Sequence, residues 1–178
     1  MLSLQKAFSQ FEQIALRWIE DLNLYTEEQF LRKPDELQWS IGQVYVHLIQ
    51  SAENFHLKQI QLCSNKNGKE MNGGKKLPGV ISFTLGAFPP IRIKVPPSPS
   101  YTPQQPKNKE EVLEKLKKLV YTVKEIVPMV EKAPSEQKTE HPAFGYLNAR
   151  EWYQLILMHY HHHRRQQKRL NHYLGITI

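Results

Sequence analysis

Residues 148–167, NAREWYQLILMHYHHHRRQQ, open on a helix cap and run without interruption into four histidines. Asn148 followed by Glu151 is a capping-box arrangement, in which each side chain can close a backbone N–H of the other. Trp152, Leu155, Ile156, His159, His163, Gln166 and Leu170 then recur at three- and four-residue steps, the signature of one face of a helix. Gly175 follows as a stop signal. His159 and His163 fall on that face one turn apart, the spacing by which a single helix offers two imidazoles to one metal. Because they continue the apolar stripe, they are expected to face the interior.

Three further helices are predicted by the same periodicity. Leu4, Phe8, Phe11, Ala15, Trp18 and Leu22 form one stripe, giving a helix over about 2–23. Ser40 and Gln43 make a second capping box, opening a helix over about 40–64 whose buried face runs Val44, His47, Leu48, Ser51 and Phe55. Asn108 with Glu111 opens a third over about 108–132, with Val112, Leu116, Leu119, Val120, Val123, Val127 and Val130 on one side. Pro128 should kink or fray its last turn. The fourth helix covers about 148–173.

The interval 65–107 has another composition. Eight of the chain's twelve prolines lie between Pro78 and Pro106, and five of its eight glycines between Gly68 and Gly86. Lys75, Lys76 and Leu77, and residues 91–95, have the look of short extended pieces, but the pattern does not support a sheet. A connection this long is unusual in a compact domain. In a four-helix protein it can carry the chain from one end to the other, so that helices two and three run parallel. The fold class expected is all-α, a four-helix bundle in one domain over 1–178 with a long, ordered crossover between helices two and three.

His47 occupies a place on helix two like that of His159 on helix four. Three imidazoles entering one core would be costly to leave unpaired, and a divalent metal is a common partner for them. At ~1.5 Å per residue, His47 lies ~10 Å from the start of its helix and His163 ~13 Å from the end of its own, comparable depths if the two helices are antiparallel. Other readings of the same residues stand beside this one. A single histidine on an apolar face is more often a satisfied core residue than a ligand. Tyr160, His161 and His162 would equally suit a polar helix face, and His162 competes with His163 on rotation alone.

Composition narrows the function classes. Twenty-four Lys and Arg against 17 Asp and Glu leave a net charge of +7, which permits an acidic partner without requiring one. Arg164, Arg165, Lys168 and Arg169 form one basic cluster, and Lys66, Lys69, Lys75 and Lys76 another, yet no recognised nucleic-acid motif accompanies them. Cations at a helix end are also explained by the helix dipole. The single cysteine, Cys63, excludes an intrachain disulfide and any multi-cysteine metal site. It is expected to be structural, and any thiol in the chemistry should come from a cosubstrate. No stretch approaches the roughly 18 consecutive apolar residues of a spanning helix, and the start lacks signal-peptide features. A cytoplasmic protein without membrane contact is expected.

Taken together, these motifs resemble those of the DinB/YfiT-like superfamily. Residues 39–48, WSIGQVYVHL, resemble its helix-two motif of a tryptophan and serine cap followed by a histidine. Residues 141–152, HPAFGYLNAREW, are similar to the lead-in to its last helix, and HYHHHRRQ over 159–166 matches its terminal signature. The resemblance covers essentially the whole chain. It implies a four-helix bundle of up-down-down-up topology and one divalent metal, zinc, nickel or iron, held by His47, His159 and His163. His162 and Gln166 fit residues that orient or pack against those ligands, while His141 and Phe144 are expected to build the turn before helix four. The activity implied is metal-assisted hydrolysis, or transfer of a low-molecular-weight thiol cosubstrate to a small electrophilic substrate. A metal- or ligand-binding stress protein without turnover is the alternative, and nucleic-acid binding ranks below both. A homodimer fits the fold. No general base is evident: Glu53 and Glu151 are carboxylates of the right type, and Glu151 is already assigned as a cap.

Overall fold

Helix α1, Leu4–Asp21, starts where the Ser3 side chain accepts the Lys6 N–H and buries Leu4, Ala7, Phe11, Ile14, Ala15 and Trp18 along one face. The computed structural model describes residues 3–65, 69–70, 73–89 and 102–176. A 3-10 turn, Leu22–Leu24, ends α1, and a short helix α2, Glu27–Leu31, follows under its own Thr26–Gln29 capping box. Helix α3, Ile41–Ser51, carries the expected Ser40–Gln43 box. It runs through one π turn, Ala52–His56, into α4, Leu57–Ser64. The predicted helix over 40–64 is therefore continuous but not regular.

The crossover contains more structure than its composition indicates. Strand β1, Lys69–Glu70, is followed by helix α5, Leu77–Leu85, which closes on Gly86 in the left-handed region. Leu77 thus begins a helix where an extended piece was expected; residues 91–95 lie outside the described residues. Helix α6, Lys109–Glu125, is capped by Asn108 and stops at Ile126, and α7, Val127–Lys132, restarts with Pro128 in its first turn. The single helix expected over 108–132 is broken there, because proline has no N–H to continue the ladder.

Among the described residues, three short strands add to the helical bundle. Strand β2, Gln137–His141, pairs antiparallel with β1 and with β3, Gly145–Asn148, in the order β1-β2-β3. His141 ties the hairpin, its Nδ1 accepting the N–H groups of Ala143 at 3.1 Å and Phe144 at 3.2 Å. Gly145 follows at φ +80°, and a Cβ there would sit 2.6 Å from Lys76 N. That close approach lets the crossover bond to the hairpin, through Lys76 N–H to Phe144 O at 2.9 Å and Tyr146 N–H to Gly74 O at 3.2 Å.

Helix α8, Ala149–Tyr173, leaves β3 directly through the Asn148–Glu151 capping box and packs between α1 and the α3–α4 helix. The contacts fix the directions of the four long helices. The end of α1 meets the end of α8, where Tyr25 Oη donates to Asn171 Oδ1 at 2.8 Å, so these two are parallel. The start of α6 meets the end of α1, where Lys109 Nζ donates to Tyr25 O, and the end of α4 meets the start of α8 at Cys63 and Leu147. The topology is up-down-down-up, and α3 runs antiparallel to α8. Trp18, Tyr45, Trp152, Tyr153 and Tyr160 are all fully buried in the core between these helices. At about 25 cal/mol per Å2, an aromatic burying roughly 150–250 Å2 contributes ~4–6 kcal/mol. The interior can therefore carry polar groups at a considerable cost.

Candidate metal centre

The antiparallel pairing of α3 with α8 brings His47, His159 and His163 to one point. His159 Nε2 lies 3.2 Å from His47 Nε2 and 3.0 Å from His163 Nε2, and one ligand atom from each ring lies within 4.8 Å of the others. The rings meet at steep angles, 79° for His47 with His159 and 77° for His159 with His163, so that edges and not faces converge. His163 is buried, and the other two are half-buried.

The outer ring nitrogens set the tautomers. His163 Nδ1–H donates to Gln166 Oε1 at 2.8 Å, which leaves Nε2 as a lone pair. Ser51 Oγ stands 3.4 Å from His47 Nδ1. His159 Nδ1 is buried without a partner among the described residues. His163 Nε2 is thus an acceptor, and His159 Nε2 faces it and His47 Nε2 at once, so a single His159 N–H can serve only one of them. A cation shared by three lone pairs removes that conflict, and metal-bound nitrogens ~2.0–2.1 Å from a tetrahedral ion sit ~3.3 Å apart. The donor set therefore fits a divalent metal.

Burial keeps these imidazoles neutral, the form a metal requires. His47 is lowered to about 4, by burial and then by His162. His163 is lowered to about 3 by burial, with His47 next, and His159 falls well below the ordinary range by burial among the other histidines.

Aromatic side chains wall the cluster. Trp39 lies 5.0 Å from the His47 ring, and Phe88, from the crossover, lies 6.4 Å from His159 and 5.4 Å from His162. His56 joins the group at 5.5 Å from His159, a residue the periodicity does not select. Burial, with His141 and His47 next, holds it at about 3, and its Nδ1 has no partner among the described residues. The remaining expectations resolve individually. His162 packs against His163 at 5.3 Å, beside the cluster and not in it. His141 builds its turn and stacks on Phe144 at 4.4 Å. Glu151 is spent on the Asn148 cap and an ion pair with Lys75, and Glu53 lines a separate groove with Ile49, Asn54 and Lys115. Cys63 is fully buried with its thiol raised by burial, against Thr139 and Leu147, so it is structural as expected. In the basic clusters, Arg164 pairs with Asp21 over the Trp18 ring, and Lys76 pairs with Glu140.

The DinB superfamily description matches residues 7–167, nearly the whole length over which these elements and histidines lie. The chain belongs to the DinB superfamily. Among solved structures this DinB-superfamily protein is similar to YfiT from Bacillus subtilis, described as a probable metal-dependent hydrolase with an unusual four-helix bundle topology. The two share 15% identity with a TM-score of 0.62, over 98% of this chain and 89% of that one. At that identity the likeness establishes the fold, in agreement with the up-down-down-up helices described above. No curated protein matches the sequence. No helix among the described residues is long and apolar enough to cross a membrane.

Proposed function

We propose that this chain is a divalent-metal-dependent hydrolase acting on a small molecule, with His47, His159 and His163 as the ligands. The observation that supports it is the convergence of three imidazoles, 3.0 and 3.2 Å apart at Nε2, on one point between α3 and α8. A metal bound there supplies Lewis acidity and lowers the pKa of water or of a thiol at its remaining positions. The chain's own part is to orient and to exclude. Gln166 fixes the His163 ring, and Ser51 stands at the His47 ring. Trp39 and Phe88 give the cluster apolar surroundings that strengthen charge interactions within. Zinc, nickel and iron all accept this donor set, so its identity follows geometry and supply.

Transfer of a low-molecular-weight thiol is the second reading, and one observation favours it. Glu151 is spent on the Asn148 cap and its ion pair with Lys75, and Glu53 lines a separate groove, so neither candidate carboxylate stands ready as a general base. A thiol loses its proton on coordination and needs no such base.

The test is metal analysis of untagged protein purified without added metal, for the parent and for His47→Ala, His159→Ala and His163→Ala. About one equivalent is expected in the parent and a loss in each variant. Stoichiometric metal surviving all three changes would sink the assignment. Amide-hydrolysis and thiol-transfer assays on the loaded protein then separate the two reactions.

A further inference from the structure

The charged side chains of α8 that follow the cluster, Arg164, Arg165, Lys168 and Arg169, are all cationic. Arg165, two residues beyond His163 on α8, reaches the crossover, where its Nη1 donates to Phe88 O at 3.4 Å. That places the guanidinium beside the residue whose ring covers His162 at 5.4 Å and His159 at 6.4 Å. One of the five N–H donors of the fork is used in that bond. Arg169 follows one turn further along α8. Of the acidic groups on neighbouring elements, Asp21 pairs with Arg164, Glu151 with Lys75 and Glu140 with Lys76, and Glu53 lines a separate groove with Ile49, Asn54 and Lys115.

Three neutral imidazoles leave the charge of a divalent ion uncompensated. A ligand that approaches past Arg165 therefore meets positive charge at both ends. Resting on the metal-centre reading above, we propose that Arg165, held against the carbonyl of Phe88, is a specificity-determining residue that binds an anionic group of the substrate. The ligand class is a small organic anion, with one end at the three-histidine centre and an oxyanion such as a carboxylate or sulfonate at the arginine fork. A guanidinium suits this task because its donors are planar, permanently charged and matched to two oxygens of one group. Phe88 contributes by positioning, since its backbone carbonyl orients the fork while its ring packs over the histidines.

The experiment uses the full chain loaded with Co2+ and follows the thiolate-to-cobalt absorption band during titration with matched thiols. 2-Mercaptoethanesulfonate and 3-mercaptopropionate carry an anion, β-mercaptoethanol is neutral and cysteamine is cationic, and affinities are compared per thiolate. The sulfonate is a poor metal ligand, so it separates recognition at the arginine from chelation at the metal. The expected result is about tenfold tighter binding of the sulfonate than of β-mercaptoethanol, with cysteamine weakest. Arg165→Gln should bring the sulfonate and neutral thiols within about twofold, without changing cobalt content or β-mercaptoethanol affinity. Equal affinities in the parent, no thiol binding at all, or a preference retained in Arg165→Gln would overturn the proposal. A protein that takes up no cobalt overturns the metal reading itself, a different result from cobalt uptake without anion preference.

Discussion

Gln166 holds His163 from the far side of its ring, and the 2.8 Å bond to Nδ1 makes the orientation of Nε2 depend on an amide three residues along the same helix. Replacing that amide by an apolar side chain of similar size removes the acceptor and frees the ring to rotate. Gln166→Leu should lower metal affinity about 10- to 100-fold, measured by competition with a chromogenic chelator, with little change in helix content. Cys63 gives the opposite expectation. Its thiol is fully buried against Thr139 and Leu147 on the hairpin, away from the histidine cluster. Cys63→Ala should leave metal stoichiometry and affinity unchanged, and the small cavity should lower stability by roughly 1–2 kcal/mol in a denaturant titration. A fall in metal content in Cys63→Ala would show that the hairpin end of α4 is coupled to the centre.

Elements differ in how much of them can be read from sequence, and the reason lies in their regularity. His47, His159 and His163 were legible because each lies within a regular stretch of helix, where three- and four-residue spacing reports the face directly. His56 was not. Nine residues at ~100° each place it on the face opposite His47 in an unbroken α-helix. The π turn Ala52–His56 lets one extra residue into the helix and swings His56 to within 5.5 Å of the His159 ring. The strands escaped notice because QKTEH over Gln137–His141 is polar and β1 has only two residues. Helix α5 escaped because LPGVISFTL opens on proline and glycine and turns Leu77, Val80, Ile81 and Leu85 outward, the reverse of the usual amphipathic stripe. What holds α5 down is Gly79, where an added Cβ would collide with the carbonyl oxygen of Phe144. Gly79→Ala should therefore lift the crossover from the hairpin. The expected readout is faster limited proteolysis within residues 73–89 at nearly unchanged far-UV circular dichroism. Cleavage no faster than in the parent would mean that the docking of α5 does not depend on that contact.

At the scale of the whole molecule, the up-down-down-up arrangement collects ionisable imidazoles in an interior that tolerates them only when neutral. His47 and His141 are lowered to about 4, His56 and His163 to about 3, and His159 well below its ordinary range, in every case chiefly by burial. A histidine in the unfolded chain titrates near 6.5. Between about pH 6.5 and pH 4 the unfolded state thus binds more protons than the folded one, so stability rises with pH across that window. The contribution is complete above about pH 6.5 and is lost as the pH falls toward the folded values. Carboxylates titrate mostly below about pH 5, which leaves the interval from 6.5 to 5 as a histidine signal. The melting temperature of metal-stripped protein should be nearly flat above about pH 7 and fall steadily from pH 6.5 to pH 5. Metal bound to the folded state adds stability by mass action, and ligands that remain unprotonated to about pH 4 should keep that increment at pH 5, where an exposed histidine is already protonated. A flat melting temperature from pH 8 to pH 5 in the stripped protein would contradict the burial of neutral imidazoles. A metal increment already gone at pH 5.5 would instead place the ligands on an exposed surface, which the packing of α3 against α8 does not allow.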